Sequence, residues 1–222
     1  KRRLSVAADG ENRLVTVLYA DMTEPVKTAG DLDAEDAAEL VNRMLATIID
    51  VLSGHECRID RIVGNEVMAV FGAPLTHEDD AVRALNAAIE VRDEVNKLGM
   101  RISIGVNTGQ VYFGPMGSAE GRRTTVVGAP VDMAVRLQGE AGVNEIVVGK
   151  VTHRQARKSF QFEPLSVVVK GLDEPEEAYR VARVLLKQDK ARGLEGMRTE
   201  LIGRDEELGK LKSAFEKAHP DI

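Results

Sequence analysis

Four stretches of this 222-residue chain carry side chains that could do chemistry. His77-Glu78-Asp79-Asp80 sets an imidazole beside three carboxylates, the donor types a divalent metal takes. It stands directly ahead of an amphipathic stretch, where acidic residues suit the positive end of a helix dipole, so it reads as helix-start charge. His55 and His153 have no further ligands at metal spacing, and Cys57 has no Cys, His or Asp arrangement around it that would activate a thiol. The fourth stretch, "RIDRIVGNEVMAVFGAP" at 58–74, reads as two short strands joined at Gly64-Asn65, with a second break at Gly72-Ala73-Pro74. A Gly-Asn turn is ordinary punctuation. An Asn at such a tip also stands where chemistry could need a carboxylate.

These residues need elements to hold them. "RLVTVLYA" at 13–20 is an apolar, β-branched run ending at Asp21, which predicts a buried strand. From Asp31 to about Leu52 the apolar residues Leu40, Val41, Met44, Leu45, Ile48, Ile49 and Leu52 recur at spacings of three and four, which predicts a helix. The hairpin at 58–74 follows, then a second helix from Glu78 to Leu98. "MRISIGVNTGQVYFGPMG" reads as two strands around a turn at Asn107-Thr108-Gly109. "TTVVGAP" is a short strand and turn, and "PVDMAVRLQGEAG" a helix with Pro130 in its first turn. A strand at 145–148, a short helix at 151–157 and strands near 161–169 and 177–185 complete the unit. The order predicts an α+β fold: a ferredoxin-like βαββαβ core, its sheet antiparallel and its helices on one face.

Composition bounds the function. Hydrophobic residues at 43% and charged residues at 30% describe a globular chain, and no apolar run approaches the ~20 residues needed to span a bilayer. A net charge of −6 argues against a nucleic-acid binder, and Lys1-Arg2-Arg3 reads as a solvated end. One cysteine allows no internal disulfide, which favours a reducing compartment and a cytoplasmic location. With no Trp, three Tyr and five Phe, the core must be aliphatic. The charged, Gly-containing segment 187–199 reads as a linker. "ELIGRDEELGKLKSAFEKA", after it, starts an amphipathic helix with no partner in the chain.

Taken in order, "RLVTVLYAD", "RIVGNEVMAVFGAPLTHEDDAVRAL", "RISIGVNTGQVYFGPMGS" and "TTVVGAPVDMAVRLQ" resemble the class III adenylyl/guanylyl cyclase catalytic domain. The subgroup they look most like is the bacterial soluble cyclases fused to an ATPase. The resemblance implies an N-terminal arm at 1–11, a cyclase-homology domain at 12–186, the linker at 187–199 and the start of an ATPase-like domain at 200–222. It also implies a longer parent protein, since no G-x-x-x-x-G-K-[ST] loop is reached. The implied assembly is a head-to-tail homodimer, or a heterodimer with another cyclase domain. The implied ligand is ATP or a related nucleotide with Mg²⁺ or Mn²⁺, two ions held by two Asp carboxylates.

Carried over residue by residue, the metal-binding positions fall on Asp21 and Asn65, so the second carboxylate is a neutral amide, and Mg²⁺ sites lean on carboxylates. Glu66 is expected to point to the opposite face of its strand. The phosphate-binding turn begins at Thr23, where Glu24 adds negative charge and Pro25 has no N–H to give. The purine-reading Lys falls on Arg61 and its partner on Thr125, compatible with adenine. The ribose-aligning Asn falls on Asp132, and the transition-state Arg on Arg136, four residues later on the same helix face. Asp21 and Arg136 keep the implied pattern and Thr125 is compatible with it; Asn65, Arg61, Asp132 and the Glu24-Pro25 turn depart from it. The implied function is a catalytically impaired cyclase-homology domain in cyclic-nucleotide signalling that binds nucleotide or dimerises. An active adenylate cyclase and a pure protein-interaction module are the alternatives.

Overall fold

The apolar run ahead of Asp21 forms β1 (Glu11–Asp21), whose residues from Val15 to Ala20 are all buried because the strand lies inside a sheet covered on both faces. The computed structural model describes residues 10–22, 33–117, 122–167 and 176–185. Most of the expected N-terminal arm, Thr23, the Glu24-Pro25 turn, the 187–199 linker and the 200–222 segment lie outside the described residues.

After β1 comes α1 (Ala34–Gly54), started by Asp33, whose carboxylate accepts the backbone N–H groups of Glu35 and Asp36 at 3.0 and 2.9 Å. Met44, Ile48 and Leu52, each four residues on from the last, are fully buried against the sheet, at about 1.5–3 kcal/mol per side chain. The hairpin of β2 (Arg58–Val63) and β3 (Glu66–Phe71) turns at Gly64-Asn65 as expected. Gly64 alone of the two takes positive φ (59°), the type II′ arrangement in which Gly leads. Then follow α2 (Asp80–Lys97), β4 (Ser103–Met116), β5 (Arg123–Val127), α3 (Ala129–Glu140), β6 (Ile146–Gly149), α4 (Lys150–Ala156), β7 (Phe160–Val167) and β8 (Glu176–Val184).

The strands form one sheet in the order β2-β3-β1-β4-β6-β8-β7, with β5 paired to the far end of β4. The first four, antiparallel throughout, make the expected split βαβ core. The sheet as a whole is antiparallel in every pair but one, β4 with β6.

Two expectations need correction. The predicted turn at Asn107-Thr108-Gly109 is the middle of β4, a single 14-residue strand. All eleven residues of β1 pair with it, from Glu11 opposite Phe113 to Asp21 opposite Ser103, and that continuous ladder outweighs local turn chemistry. The turn-type side chains work within the strand instead. Asn107 Nδ2 donates to the Pro130 carbonyl at 3.2 Å, and the buried Thr108 hydroxyl bridges those of Thr16 and Thr152 at 2.9 Å each.

Nor do the helices share one face. α1, α2 and α4 cover the face bearing Leu18, Ala20, Val67 and Phe71, while α3 packs on the other face against Val15, Val17, Met68 and Phe113. It lies on the backbone of β4 itself. A Cβ at Gly105 would stand 2.1 Å from the Ala134 carbonyl oxygen, and one at Gly109 would stand 2.5 Å from Pro130 Cγ.

Candidate functional site

The type II′ turn is short enough to bring the Asn65 side chain onto the end of β1. Met22 N–H donates to the Asn65 carbonyl at 3.2 Å, and Asn65 Nδ2 donates to Asp21 Oδ1 at 2.8 Å. A carboxylate only accepts, so the amide presents its N–H₂ end. The other Asp21 oxygen accepts from Gln138 Nε2 of α3 at 3.3 Å, and Gln138 also donates to Ser103 Oγ at 2.8 Å. Sequence reasoning placed Asp21 and Asn65 together, and they meet. It missed Gln138, which has no spacing signal of its own and arrives because α3 rests on Gly105.

Glu66 corrects another expectation. It pairs directly opposite Asp21 across β1 and β3, and residues opposite each other in a ladder point to the same face. Its carboxylate stands on the Asp21 side of the sheet, where it accepts a short hydrogen bond from the Tyr19 hydroxyl. Burial pushes the Tyr19 phenol up to about 12, helped by that bond and by the charges of Glu66 and Asp21, while Arg61 opposes the shift.

Arg61 and Thr125 line one cleft of about 480 Å³, together with Arg58, Asp60, Met116, Arg123 and Thr124. A β-bulge makes this possible. In β2, Arg58 pairs with Val70 and Ile59 with Ala69, then Asp60 is skipped and Arg61 pairs with Met68. Strict alternation would send Arg58 and Arg61 to opposite faces; the extra residue puts both on the face of Met68 and Val70.

Asp60 itself, its side chain 1% exposed, ties the cleft together. Thr125 Oγ1 donates to its Oδ2 at 2.6 Å, while Arg58 Nε stands 3.5 Å from Oδ1 and Arg61 Nε 3.7 Å from Oδ2. Arg58 also donates to the Thr124 carbonyl at 2.5 Å, joining β2 to β5. Nothing in the sequence marks the bulge, so neither Asp60 nor Arg58 was singled out.

Asp132 and Arg136 are exposed on α3, and neither has a hydrogen bond or ion pair to another described residue. They do not line the Arg61–Thr125 cleft, nor do Asp21 and Asn65. The expected site residues therefore fall into three groups within the chain: the Asp21–Asn65 contact, the Arg61–Thr125 cleft and the exposed Asp132–Arg136 face. Among the described residues no three His, Cys, Asp or Glu side chains converge as metal ligands, and no helix is long and apolar enough to cross a membrane. Asp80 and His77 of the acidic run serve α2 instead: Asp80 Oδ2 accepts the His77 N–H at 2.9 Å, and Oδ1 accepts from Arg83 at 3.1 Å.

The chain is similar to several known proteins. Its fold matches the crystal structure of the adenylyl cyclase CyaB from P. aeruginosa, with a TM-score of 0.75 and 26% identity, over 78% of this chain and 96% of that one. The guanylyl cyclase Cya2 matches with a TM-score of 0.75 and 27% identity, over 81% of this chain and 97% of that one. Uncharacterized protein Rv1320c of Mycobacterium tuberculosis is 35% identical over 130 residues, which is 58% of this chain. The chain spans 23% of the length of that curated relative. The family model for the adenylate and guanylate cyclase catalytic domain matches residues 8–182, and the chain belongs to that family.

Proposed function

We propose that this chain is a cyclase-homology domain of cyclic-nucleotide signalling whose own catalysis is impaired, and which acts by binding a purine nucleotide and by dimerising. The observation that carries this reading is the 2.8 Å hydrogen bond from Asn65 to Asp21. Two carboxylates facing each other would call for cations between them. An amide and a carboxylate satisfy each other, with Gln138 completing the second oxygen. The Asp21–Asn65 pair therefore does not fit a double-ion centre for Mg²⁺ or Mn²⁺. The Arg61–Thr125 cleft, by contrast, keeps donors and an acceptor suited to a purine edge, which supports ATP or a related nucleotide as ligand. Asp132 brings negative charge where a ribose donor is implied. The partner on this reading is a second cyclase domain, in a homodimer or a heterodimer, with an ATPase-like domain following in the parent protein and the whole in the cytoplasm.

The test is turnover of ATP to cyclic AMP with Mg²⁺ and with Mn²⁺, in the wild type and in Asn65→Asp combined with Asp132→Asn. Each lost electrostatic contact in an active site costs about 10²–10³-fold, so the double variant should exceed the wild type by that order or more. Wild-type turnover well above background and equal to that of the double variant overturns the reading.

One observation favours a second reading, a working adenylate cyclase. Glu66, opposite Asp21, supplies a second carboxylate on the same face. That reading requires wild-type turnover that Glu66→Gln abolishes.

A further inference from the structure

We propose that Asp60 is the positioning residue that sets base selectivity in the Arg61–Thr125 cleft, by fixing Thr125 as a hydrogen-bond acceptor toward the ligand. The inference rests on the purine-binding reading above. A threonine hydroxyl has one proton to give and two lone pairs to offer, and in solution it rotates to suit either kind of partner. Here the rotation is stopped. Thr125 gives its proton to Asp60 Oδ2 at 2.6 Å, within the short range of an O–H bond to a carboxylate. Asp60 cannot turn away, because its side chain is 1% exposed and both of its oxygens are flanked by guanidinium groups, Arg58 Nε at 3.5 Å and Arg61 Nε at 3.7 Å. The bulge holds this arrangement, since Asp60 is the unpaired residue between Ile59 and Arg61.

What remains of Thr125 on the cleft side is lone pairs. Arg61, half-exposed beside it, has only donors to offer. The cleft wall thus presents an acceptor at Thr125 and a donor at Arg61, in fixed polarity. A purine that places its six-position substituent at Thr125 and its ring N1 at Arg61 is matched when the substituent is an amine and N1 is unprotonated. It is mismatched twice when the substituent is a carbonyl and N1 carries hydrogen. Adenine has the first edge; hypoxanthine and guanine have the second. Thr125 alone would not discriminate, because a free hydroxyl could turn its proton toward a carbonyl.

The experiment is calorimetric titration of the 222-residue chain with ATP, ITP and purine riboside triphosphate, which carry an amine, a carbonyl and no substituent at the six-position. The wild type should bind ATP more tightly than ITP by roughly tenfold or more, the worth of one hydrogen bond matched rather than mismatched, with the unsubstituted purine between them. In Asp60→Asn the amide can donate to Thr125 and release its proton to the cleft, and in Asp60→Ala the hydroxyl rotates freely. In both, the ATP-to-ITP ratio should fall to about twofold. A merely structural Asp60 would weaken both nucleotides together and leave the ratio unchanged. Wild type that binds ATP and ITP equally overturns the proposal without recourse to any variant, as does an unchanged ratio in folded Asp60→Asn. Failure to bind any of the three overturns the purine-binding reading and this proposal with it, whereas binding without discrimination overturns this proposal alone.

Discussion

Replacing Asn65 by Asp turns a hydrogen-bonded contact into a confrontation of two carboxylates. The amide nitrogen now stands 2.8 Å from Asp21 Oδ1, so the new carboxylate cannot retreat far without opening the type II′ turn. Two unit charges about 4 Å apart repel by roughly 4 kcal/mol at an effective dielectric near 20, and by roughly 1 kcal/mol in bulk water. Asp21 and Asn65 are both half-buried, which places the cost between those limits. Adding the lost hydrogen bond to a charged acceptor gives about 2.5–7 kcal/mol in all. For a domain of this size that is a fall in melting temperature of roughly 5–28 °C. A divalent cation between the carboxylates would remove the repulsion. At about a hundred times its dissociation constant it would restore roughly 2.7 kcal/mol. Thermal melts with EDTA and with millimolar Mn²⁺ or Mg²⁺ test this without any need for turnover. Asn65→Asp should melt well below the wild type in EDTA and recover with metal, and the wild type should change little. An Asn65→Asp protein as stable as the wild type in EDTA, or a wild type that gains as much from Mn²⁺ as the variant, would refute the argument.

Three further outcomes are expected. Gly105→Ala should lower stability by about 3 kcal/mol or more, at the upper end of overpacking costs, because the new Cβ meets backbone atoms of α3 at 2.1 and 2.4 Å. Gly64→Ala meets nothing within 4 Å and should cost only the roughly 1–2 kcal/mol of its positive φ; chemical denaturation compares the two. Absorbance titration should put the Tyr19 phenol near 12 rather than 10. A phenol whose folded value lies above its unfolded one holds its proton in the folded protein, so stability falls as pH rises from about 10 to 12, and Tyr19→Phe should flatten that fall. The Cys57 thiol, pushed up to about 11 by burial against the weaker opposing pull of Arg83, should alkylate at pH 8 roughly 10²-fold more slowly than free cysteine, and a rate equal to that of free cysteine would contradict its burial.

Much of the fold was legible because period and punctuation agreed. Met44, Ile48 and Leu52 announce the inner stripe of α1, and Gly64-Asn65 announces its turn. What stayed hidden depended on pairing between distant segments. Asn107-Thr108-Gly109 has the composition of a loop, and only the ladder with β1 makes it strand. The face chosen by α3 is likewise set by Gly105 and Gly109, whose missing side chains admit a helix, a reason visible only once β4 is continuous. At the site, Asp21, Asn65, Arg61 and Thr125 could be named from motif order. Their partners could not. Glu66 was assigned to the wrong face because alternation along one strand was counted, while its register opposite Asp21 decides the matter. Asp60 escaped because a bulge breaks the alternation that sequence reading assumes.

α3 connects these two levels. Its inner surface is held by contacts that tolerate almost no change, the Ala134 carbonyl over Gly105 and Pro130 over Gly109, so its axial position is fixed by the sheet. Gln138 stands on that fixed surface and reaches Asp21 and Ser103, while Asp132 and Arg136 stand on the exposed surface of the same helix. A shift of α3 by a fraction of an ångström must therefore alter the donor set around Asp21 and the placement of Arg136 together. If a second cyclase domain docks on the exposed side of α3, its effect on Asp21 travels through Gln138, one hydrogen bond away. Asn65 and Asp132 leave that route intact, since neither residue takes part in seating the helix on β4.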